Sequence, residues 1–247
     1  MVMKKLLLFV AICCCGVVCG QSLESASVVG EEQGCESVYS LSLHAGYAHN
    51  LIYGSYANFD VDANLPINPH FEMEVDMRAS TANLYAFGVQ MRPKFSLPKG
   101  ELYIEDRLMG RFVRCDQVNE FVHALSLGYR MQYVDVQLGL FSHVIVPTPY
   151  ERNSNNSYIT EPFSLLYRVE AYVRPQQSCW NVAIAISNVD DYAMERGWMP
   201  MLYVGGWYDL NSHWRLCMSG KYQSAGVFHM NAHYYASEVR VGAEYRF

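Results

Sequence analysis

Apolar and polar residues alternate with a period of two along most of the chain after residue 36. In residues 71–79, apolar residues occupy the odd positions, while three acids and one arginine occupy the even positions. Residues 238–247 show the same alternation and end on Phe247. Successive side chains of a strand point to opposite faces, so each such segment is predicted to be a strand with one apolar and one polar face.

Several of these segments are longer than a typical soluble strand, which has about five or six residues. A tilted strand needs about 9–11 residues to cross a membrane, and no apolar run long enough for a membrane helix follows the N-terminus. The pattern therefore predicts an all-β fold, a transmembrane antiparallel meander β-barrel. The apolar faces would meet lipid and the charged faces would line the lumen.

The alternation predicts about twelve strands, although ten remain possible. With an even number, both ends of the barrel lie on the periplasmic side, and the periplasmic turns are then short while the external connections are longer, as in known barrels. The approximate bounds are 37–50, 57–66, 70–80, 84–95, 101–114, 118–130, 133–146, 159–174, 179–188, 200–210, 213–223 and 235–247.

The N-terminus has the features of a secretory signal. Two lysines precede an apolar stretch at 6–18 that is too short for a stop-transfer helix, and Val18 and Gly20 suit the −3 and −1 positions of a cleavage site. The predicted organisation is a signal peptide at 1–20, a flexible periplasmic segment at 21–36 and the barrel at 37–247.

The last strand resembles the sorting signature of outer-membrane β-barrel proteins. In that family the final strand ends on an aromatic residue, with apolar or aromatic residues at alternate positions before it. Here Val239, Val241, Ala243, Tyr245 and Phe247 occupy those positions. The resemblance implies recognition by the barrel-assembly machinery and a place in a Gram-negative outer membrane. The chain as a whole is similar to small barrels of gut Bacteroidetes.

Charge and cysteine content exclude several classes. The net charge is −6, and it becomes −8 once the two signal lysines are removed, which is the wrong sign for nucleic-acid binding. The four cysteines after the signal lack the CxxC spacing of zinc ribbons and redox motifs, and their disulfide pairing stays open. They are Cys35, Cys115, Cys179 and Cys217. No cofactor or metal ion is predicted.

The charged faces predict a lumen with as many acids as bases. Unpaired charge in a narrow pore is costly, and opposite charges on neighbouring strands can pair. We hypothesise a narrow lumen crossed by ion pairs; simple solvation of these residues is an equal alternative. The acids are Asp60, Asp62, Glu72, Glu74, Asp76, Glu101, Glu105, Glu120, Asp135, Glu170, Glu238 and Glu244, and the bases are Arg78, Arg92, Lys94, Arg107, Arg111, Arg130, Arg168, Arg174, Arg215, Lys221, Arg240 and Arg246.

An acidic patch is predicted on the second and third strands. Its members are Asp60, Asp62, Glu72, Glu74 and Asp76. Such a patch would attract a cation, although pairing with luminal arginines is the preferred interpretation. The main luminal bases are Arg78, Arg107, Arg111, Arg168, Arg215 and Arg240.

Two function classes fit these features. One is a narrow channel or uptake barrel for small solutes, and the other is a structural or binding barrel with a closed lumen and external loops that meet a ligand or partner. An outer-membrane lipid hydrolase is a weaker third interpretation, because the neighbouring Ser142 and His143 would point to opposite faces and could not pair. We therefore predict a non-enzymatic protein whose partners are membrane lipid, the assembly machinery and small solutes.

Overall fold

The computed structural model describes residues 38–51, 53–113, 118–147, 159–176, 178–188, 200–225 and 233–247. These residues form twelve strands in one closed antiparallel barrel, which confirms the predicted all-β meander. The strands are β1 (Ser40–Asn50), β2 (Gly54–Asn68), β3 (Phe71–Ser80), β4 (Leu84–Leu97), β5 (Gly100–Val113), β6 (Val118–Arg130), β7 (Val134–Pro147), β8 (Ile159–Tyr172), β9 (Trp180–Ser187), β10 (Met201–Asp209), β11 (Trp214–Ala225) and β12 (His233–Arg246).

The first and last strands close the barrel. β1 pairs with β12 along its whole length, from Ser40 opposite Arg246 to Asn50 opposite Ala236. Closure leaves no open sheet edge, so the strands satisfy their backbone groups without water. The described residues include no helix long and apolar enough to cross a membrane. The predicted signal peptide and the segment 21–36 lie outside the described residues.

The longest connections lie at one end of the barrel, as predicted, although three connections at that end have only three or four residues. At one end β2 and β3, β4 and β5, and β6 and β7 are joined by two or three residues. At the other end the connection between β7 and β8 and that between β9 and β10 each exceed ten residues. The pairing of β7 with β8 also shifts register between Phe141 and His143.

The two faces of the wall differ in exposure. On β2, Phe59 is 57% exposed and its neighbour Asp60 is 1% exposed; on β7, Leu140 is 52% and Phe141 is 2% exposed. A large apolar outer surface of this kind requires lipid around it. The outward-facing residues include Leu43, Leu108, Leu125, Leu138, Leu165, Ile184, Leu202, Met218 and Val241.

Aromatic clusters flank this apolar surface at both ends. Near the end with the longer connections, Phe112 contacts Phe87 and Phe121, with ring centroids 5.9 and 6.0 Å away. Near the chain termini, the Tyr245 ring lies 5.0 Å from the rings of both Trp214 and Phe247. Aromatic girdles mark the membrane–water interfaces of transmembrane barrels, so the lipid-facing belt lies between these two clusters.

Candidate functional site

Charged side chains fill much of the barrel interior. The predicted acidic patch and the six main luminal arginines all lie on inward-facing positions of their strands, beside buried neighbours. The side chains of Asp60, Arg78 and Glu238 are 0%, 7% and 4% exposed. Buried charges of this kind are tolerated only when they are paired. The ion pairs among them therefore fix the positions of the side chains in the lumen.

One network joins strands on both sides of the β1–β12 closure. Arg78 on β3 contacts Asp60 on β2, with Nε to Oδ1 at 2.6 Å, and Glu238 on β12, with Nη2 to Oε1 at 3.1 Å. Lys221 Nζ lies 3.1 Å from Glu238 Oε2, and Arg240 Nη1 lies 3.5 Å from Asp60 Oδ2. Five charged residues from four strands are thus held together.

Small residues on β1 let this network cross the closure. Gly46 lies opposite both Arg240 and Asn58, and a Cβ at Gly46 would sit 2.8 Å from Arg240 Cγ. Ala48, the next inward-facing residue of β1, is 3% exposed. A larger side chain at Gly46 would separate the charges of β12 from those of β2.

A second network runs across β3, β4 and β5. Glu72 contacts Arg92, with Oε1 to Nη1 at 3.2 Å, and also forms an ion pair with Lys94. Arg92 Nη2 lies 2.9 Å from Glu105 Oε2, and Arg107 Nε lies 3.6 Å from Glu105 Oε1. Glu72, an end member of the acidic patch, is therefore engaged by cations.

Tyr103 extends this network to β6 and β7. Its hydroxyl donates a 2.7 Å hydrogen bond to Asp135, which also accepts one from Arg130 at 2.9 Å. The guanidinium carbons of Arg92 and Arg130 each lie 5.2 Å from the centre of the Tyr103 ring. The ring lies over Gly128, where a side chain would collide with it. Tyr103 thus holds two like-charged guanidinium groups in one cluster.

A third group of charges lies at the terminal end of the lumen. Asp209 Oδ1 lies 2.6 Å from Arg215 Nε and 2.9 Å from Arg246 Nη2, and Glu244 Oε1 lies 3.0 Å from Arg246 Nε. Asp209 was missing from the predicted luminal set. Every second residue of β10, starting from the buried Met201, faces inwards. Continuing this alternation along the strand assigns Asp209 to the inner face.

Two other luminal arginines have local partners. Arg168 contacts Glu170 two residues along β8, and Arg111 lies 2.6 Å from Glu120. His143 also faces Glu120, at 3.5 Å. Ser142, the residue before His143, follows the lipid-facing Leu140 by two positions, so the predicted opposite orientation of Ser142 and His143 is what the strand shows.

Arg174 lies outside the lumen, contrary to the prediction. It follows the end of β8, is exposed, and places its guanidinium 3.9 Å from the centre of the Trp180 ring. Because the strand ends at Tyr172, the alternation that carried the prediction no longer applies at residue 174.

Part of the lumen is apolar, which the sequence analysis did not predict because it assigned only charged residues to the lumen. The apolar cluster lies on β5–β8 and consists of Met109, Val122, Ala124, Phe141 and Leu166. The opposite wall carries small inward-facing residues, among them Ala183, Gly205 and Ser219. Bulky side chains therefore fill one side of the barrel, and space remains beside the other.

A cavity of about 250 Å³ occupies that space. Asp62, Glu74 and Asp76, the middle members of the acidic patch, line it, whereas Asp60 and Glu72 belong to the networks described above. The other charged lining residues are Glu170, Arg107, Arg215, Arg240 and, when protonated, His44. The ends of the predicted patch thus belong to the ion-pair networks, and its middle members border the cavity.

The acidic side of this cavity contains like charges in direct register. Asp62 and Asp76 lie opposite each other in the pairing of β2 with β3. Like charges directly opposite on a sheet are destabilising, so this arrangement favours a nearby cation. His44 Nε2 lies 3.3 Å from Asp62 Oδ2 and supplies one when protonated. The described residues contain no cluster of three or more metal-ligating side chains.

The residues of the predicted sorting signal lie on the outer surface of β12. Val239, Val241 and Phe247 are 51%, 54% and 63% exposed, and Tyr245 packs between Trp214 and Phe247. Their recognition by assembly machinery stays a prediction. Cys179 and Cys217 carry free thiols.

Comparison with solved structures places the fold among porin-like barrels. The KdgM porin, solved in complex with disordered oligogalacturonate, is 9% identical with a TM-score of 0.50, and the match covers 84% of this chain and 99% of that one. The NanC porin is 10% identical with a TM-score of 0.51, covering 84% and 100%. The translocator domain of the autotransporter NalP from Neisseria meningitidis is 12% identical with a TM-score of 0.55, covering 85% and 89%.

No protein-family model and no curated protein matches the sequence. At such low identity the solved structures show the fold alone. A closed antiparallel barrel with an apolar outside, aromatic girdles and a charged inside is the form in which strands cross an outer membrane. The protein is therefore a multi-pass, porin-like β-barrel of the outer membrane.

Proposed function

We propose that the protein is a narrow channel for small polar solutes and ions, with a lumen partly closed by ion pairs. The observation that carries the proposal is the charged cavity beside a wall of small residues. A barrel of twelve strands lies between the filled eight-stranded barrels and the open porins of about sixteen or more, so side chains decide whether solute passes.

The ion-pair networks support a narrow path because their side chains occupy space inside the barrel. The network of Arg78 joins β3 to β12, and that of Arg92 joins β3 to β5. Their members neutralise one another, which lowers the cost of holding charge in a confined space. Solute would pass beside these networks, through the cavity that Ala183, Ser219, Tyr203 and Trp207 line on β9–β11.

The acids that line one side of the cavity indicate which solutes are favoured. Asp62, Glu74 and Asp76 border the cavity together, so the local field favours cations and zwitterions over anions. The KdgM porin was solved with an oligogalacturonate, an acidic saccharide. We do not extend that ligand to this channel, because the acidic side of the cavity would repel it.

Solute uptake into vesicles tests the proposal. Protein-containing liposomes placed in isosmotic solutions should swell faster with lysine than with glutamate, and should exclude a trisaccharide. Filling the cavity with Ser219→Phe should slow lysine entry severalfold, whereas Leu202→Phe on the lipid-facing side should not. Folded protein that admits no solute would instead favour the closed binding barrel. Rapid trisaccharide entry would contradict a narrow path.

A further inference from the structure

One ion pair lies on the outside of the barrel. His123 Nε2 is 2.8 Å from Asp106 Oδ1, and their side chains are 53% and 39% exposed. Each lies two positions from a lipid-facing residue on the same face of its strand: Leu108 on β5, which is 47% exposed, and Leu125 on β6, which is 54% exposed. The ion pairs described above lie inside. Ionisable groups that face lipid are costly and rare, and they mark functional sites.

A serine completes a row of three polar residues on this surface. Ser142 on β7 lies directly opposite His123 on β6. Directly opposed residues on one face of an antiparallel pair have Cβ atoms about 4.5–5.5 Å apart. Asp106, His123 and Ser142 thus occupy three consecutive strands in the order acid, imidazole, hydroxyl.

The hydrogen bond between His123 and Asp106 is the one that a catalytic base forms with the acid that orients it. With a proton on Nε2, His123 donates to Asp106, and Nδ1 remains to accept a proton. The hydrogen bond from a nucleophile to its base commonly shortens only when substrate binds.

The backbone is irregular at the same place. The β7–β8 register shifts between Phe141 and His143, so Pro162 and Phe163 together lie opposite Ser142 alone. Phe163 is 78% exposed. Bulges of this kind occur next to active sites, where they alter the direction of a side chain.

The depth of the row fits the ester bonds of a lipid. His123 is the next outward-facing residue along β6 after Phe121, which belongs to the aromatic cluster near the long connections. Aromatic girdles lie at the headgroup level, and acyl-ester carbonyls lie just inside it. A lipid in the surrounding leaflet would therefore present its ester groups at this height.

We propose that Ser142, His123 and Asp106 form a catalytic triad that hydrolyses acyl-ester bonds of membrane lipids at the outer surface of the barrel. The sequence analysis made a hydrolase the weakest of three interpretations because Ser142 and His143 face opposite sides. The partner that the register supplies is His123, which lies 19 positions before Ser142 in the sequence. The channel and the triad use opposite faces of the wall.

The reaction has two steps. Ser142 Oγ attacks the ester carbonyl carbon while His123 takes the hydroxyl proton; the ester C–O bond then breaks, and His123 protonates the departing alkoxide, which leaves as the lysolipid alcohol. In the second step His123 removes a proton from water, which attacks the acyl–serine carbonyl. The C–Oγ bond breaks, fatty acid is released, and the proton returns to Ser142. Asp106 orients the ring and stabilises its charged form.

Fatty-acid release by the full-length protein tests the triad. The protein would be assayed in mixed micelles with diacyl phosphatidylethanolamine and, separately, with purified lipopolysaccharide; release from one or both identifies the source of the ester. Ser142→Ala and His123→Ala should each lower the rate by about a thousandfold or more, and Asp106→Asn by less. A fluorophosphonate should label Ser142 in the wild-type protein.

A matched control exists on the same outer surface. Ser55 lies opposite His49 in the pairing of β1 with β2, but the partner of His49 is Tyr234, at 2.7 Å, rather than a carboxylate. Ser55→Ala should keep full activity and full Ser142 labelling. Folded wild-type protein that releases no fatty acid above the Ser142→Ala level, or labelling at a serine other than Ser142, would overturn the proposal.

Discussion

Replacing Arg78 with methionine is expected to lower the free energy of unfolding by about 3–5 kcal/mol, the usual cost of removing one partner from a buried ion pair. Asp60 and Glu238, whose side chains are 0% and 4% exposed, would lose their shared cation. Urea unfolding of the protein in detergent micelles measures the change. The same variant replaces a charged side chain inside the barrel with an uncharged one of similar length, so channel conductance should change.

The double variant Arg78→Met with Asp60→Asn gives the control for this prediction. It removes one of the two carboxylates that Arg78 contacts, so it should recover part of the loss, and a double-mutant cycle isolates the coupling. Arg168→Met removes a cation whose side chain is 35% exposed. This change should lower the free energy of unfolding by about 1 kcal/mol or less. If Arg78→Met unfolds like the wild-type protein, water rather than pairing solvates these charges.

Neutralising the middle of the acidic patch is expected to change ion selectivity. The triple variant Asp62→Asn, Glu74→Gln and Asp76→Asn keeps the side-chain volumes but removes the negative side of the cavity. The ratio of cation to anion permeability should fall by about tenfold, the lower end of the effect of a focused surface field. Reversal potentials in a salt gradient measure this ratio.

Asp209→Asn is the comparison variant for the selectivity measurement. Asp209 lies outside the cavity lining and contacts Arg215 and Arg246, so its neutralisation should shift the reversal potential much less. A reversal potential that the triple variant leaves unchanged would show that permeant ions do not pass beside Asp62, Glu74 and Asp76.

The strands were predictable because their signal is local. Phe59 and Asp60 are neighbours with opposite environments, and this contrast between lipid and lumen recurs at every second residue. The even strand number and the membrane orientation then fix which ends carry the short turns. The inward orientation of the acidic patch and of the main luminal arginines follows from the same alternation.

The partners of the charges were not predictable, because they depend on closure and register. Arg78 and Glu238 are separated by most of the chain and meet only because β1 pairs with β12 and Gly46 leaves room between them. A list of inward-facing acids and bases cannot show that Asp60 is paired while Asp62 borders a cavity. The apolar cluster around Phe141 was missed because only charged positions were assigned to the lumen.

The outer polar row was hidden for the same reason. Asp106, His123 and Ser142 each stand as a single polar residue within an apolar face, and only the strand register brings them together. The adjacent residues Ser142 and His143 lie on opposite faces, whereas Ser142 and His123 share the outer face through the strand register. Register across three strands is information that a single strand's pattern does not contain.

Single-channel recording in planar bilayers tests the narrow, charge-lined lumen most directly. The wild-type protein should show small, discrete and cation-selective conductance steps, because side chains occupy much of the lumen and Asp62, Glu74 and Asp76 border the remaining path. A large, persistently open conductance without ion preference would contradict a lumen crossed by ion pairs, and bilayers that contain folded protein but stay silent would contradict a channel.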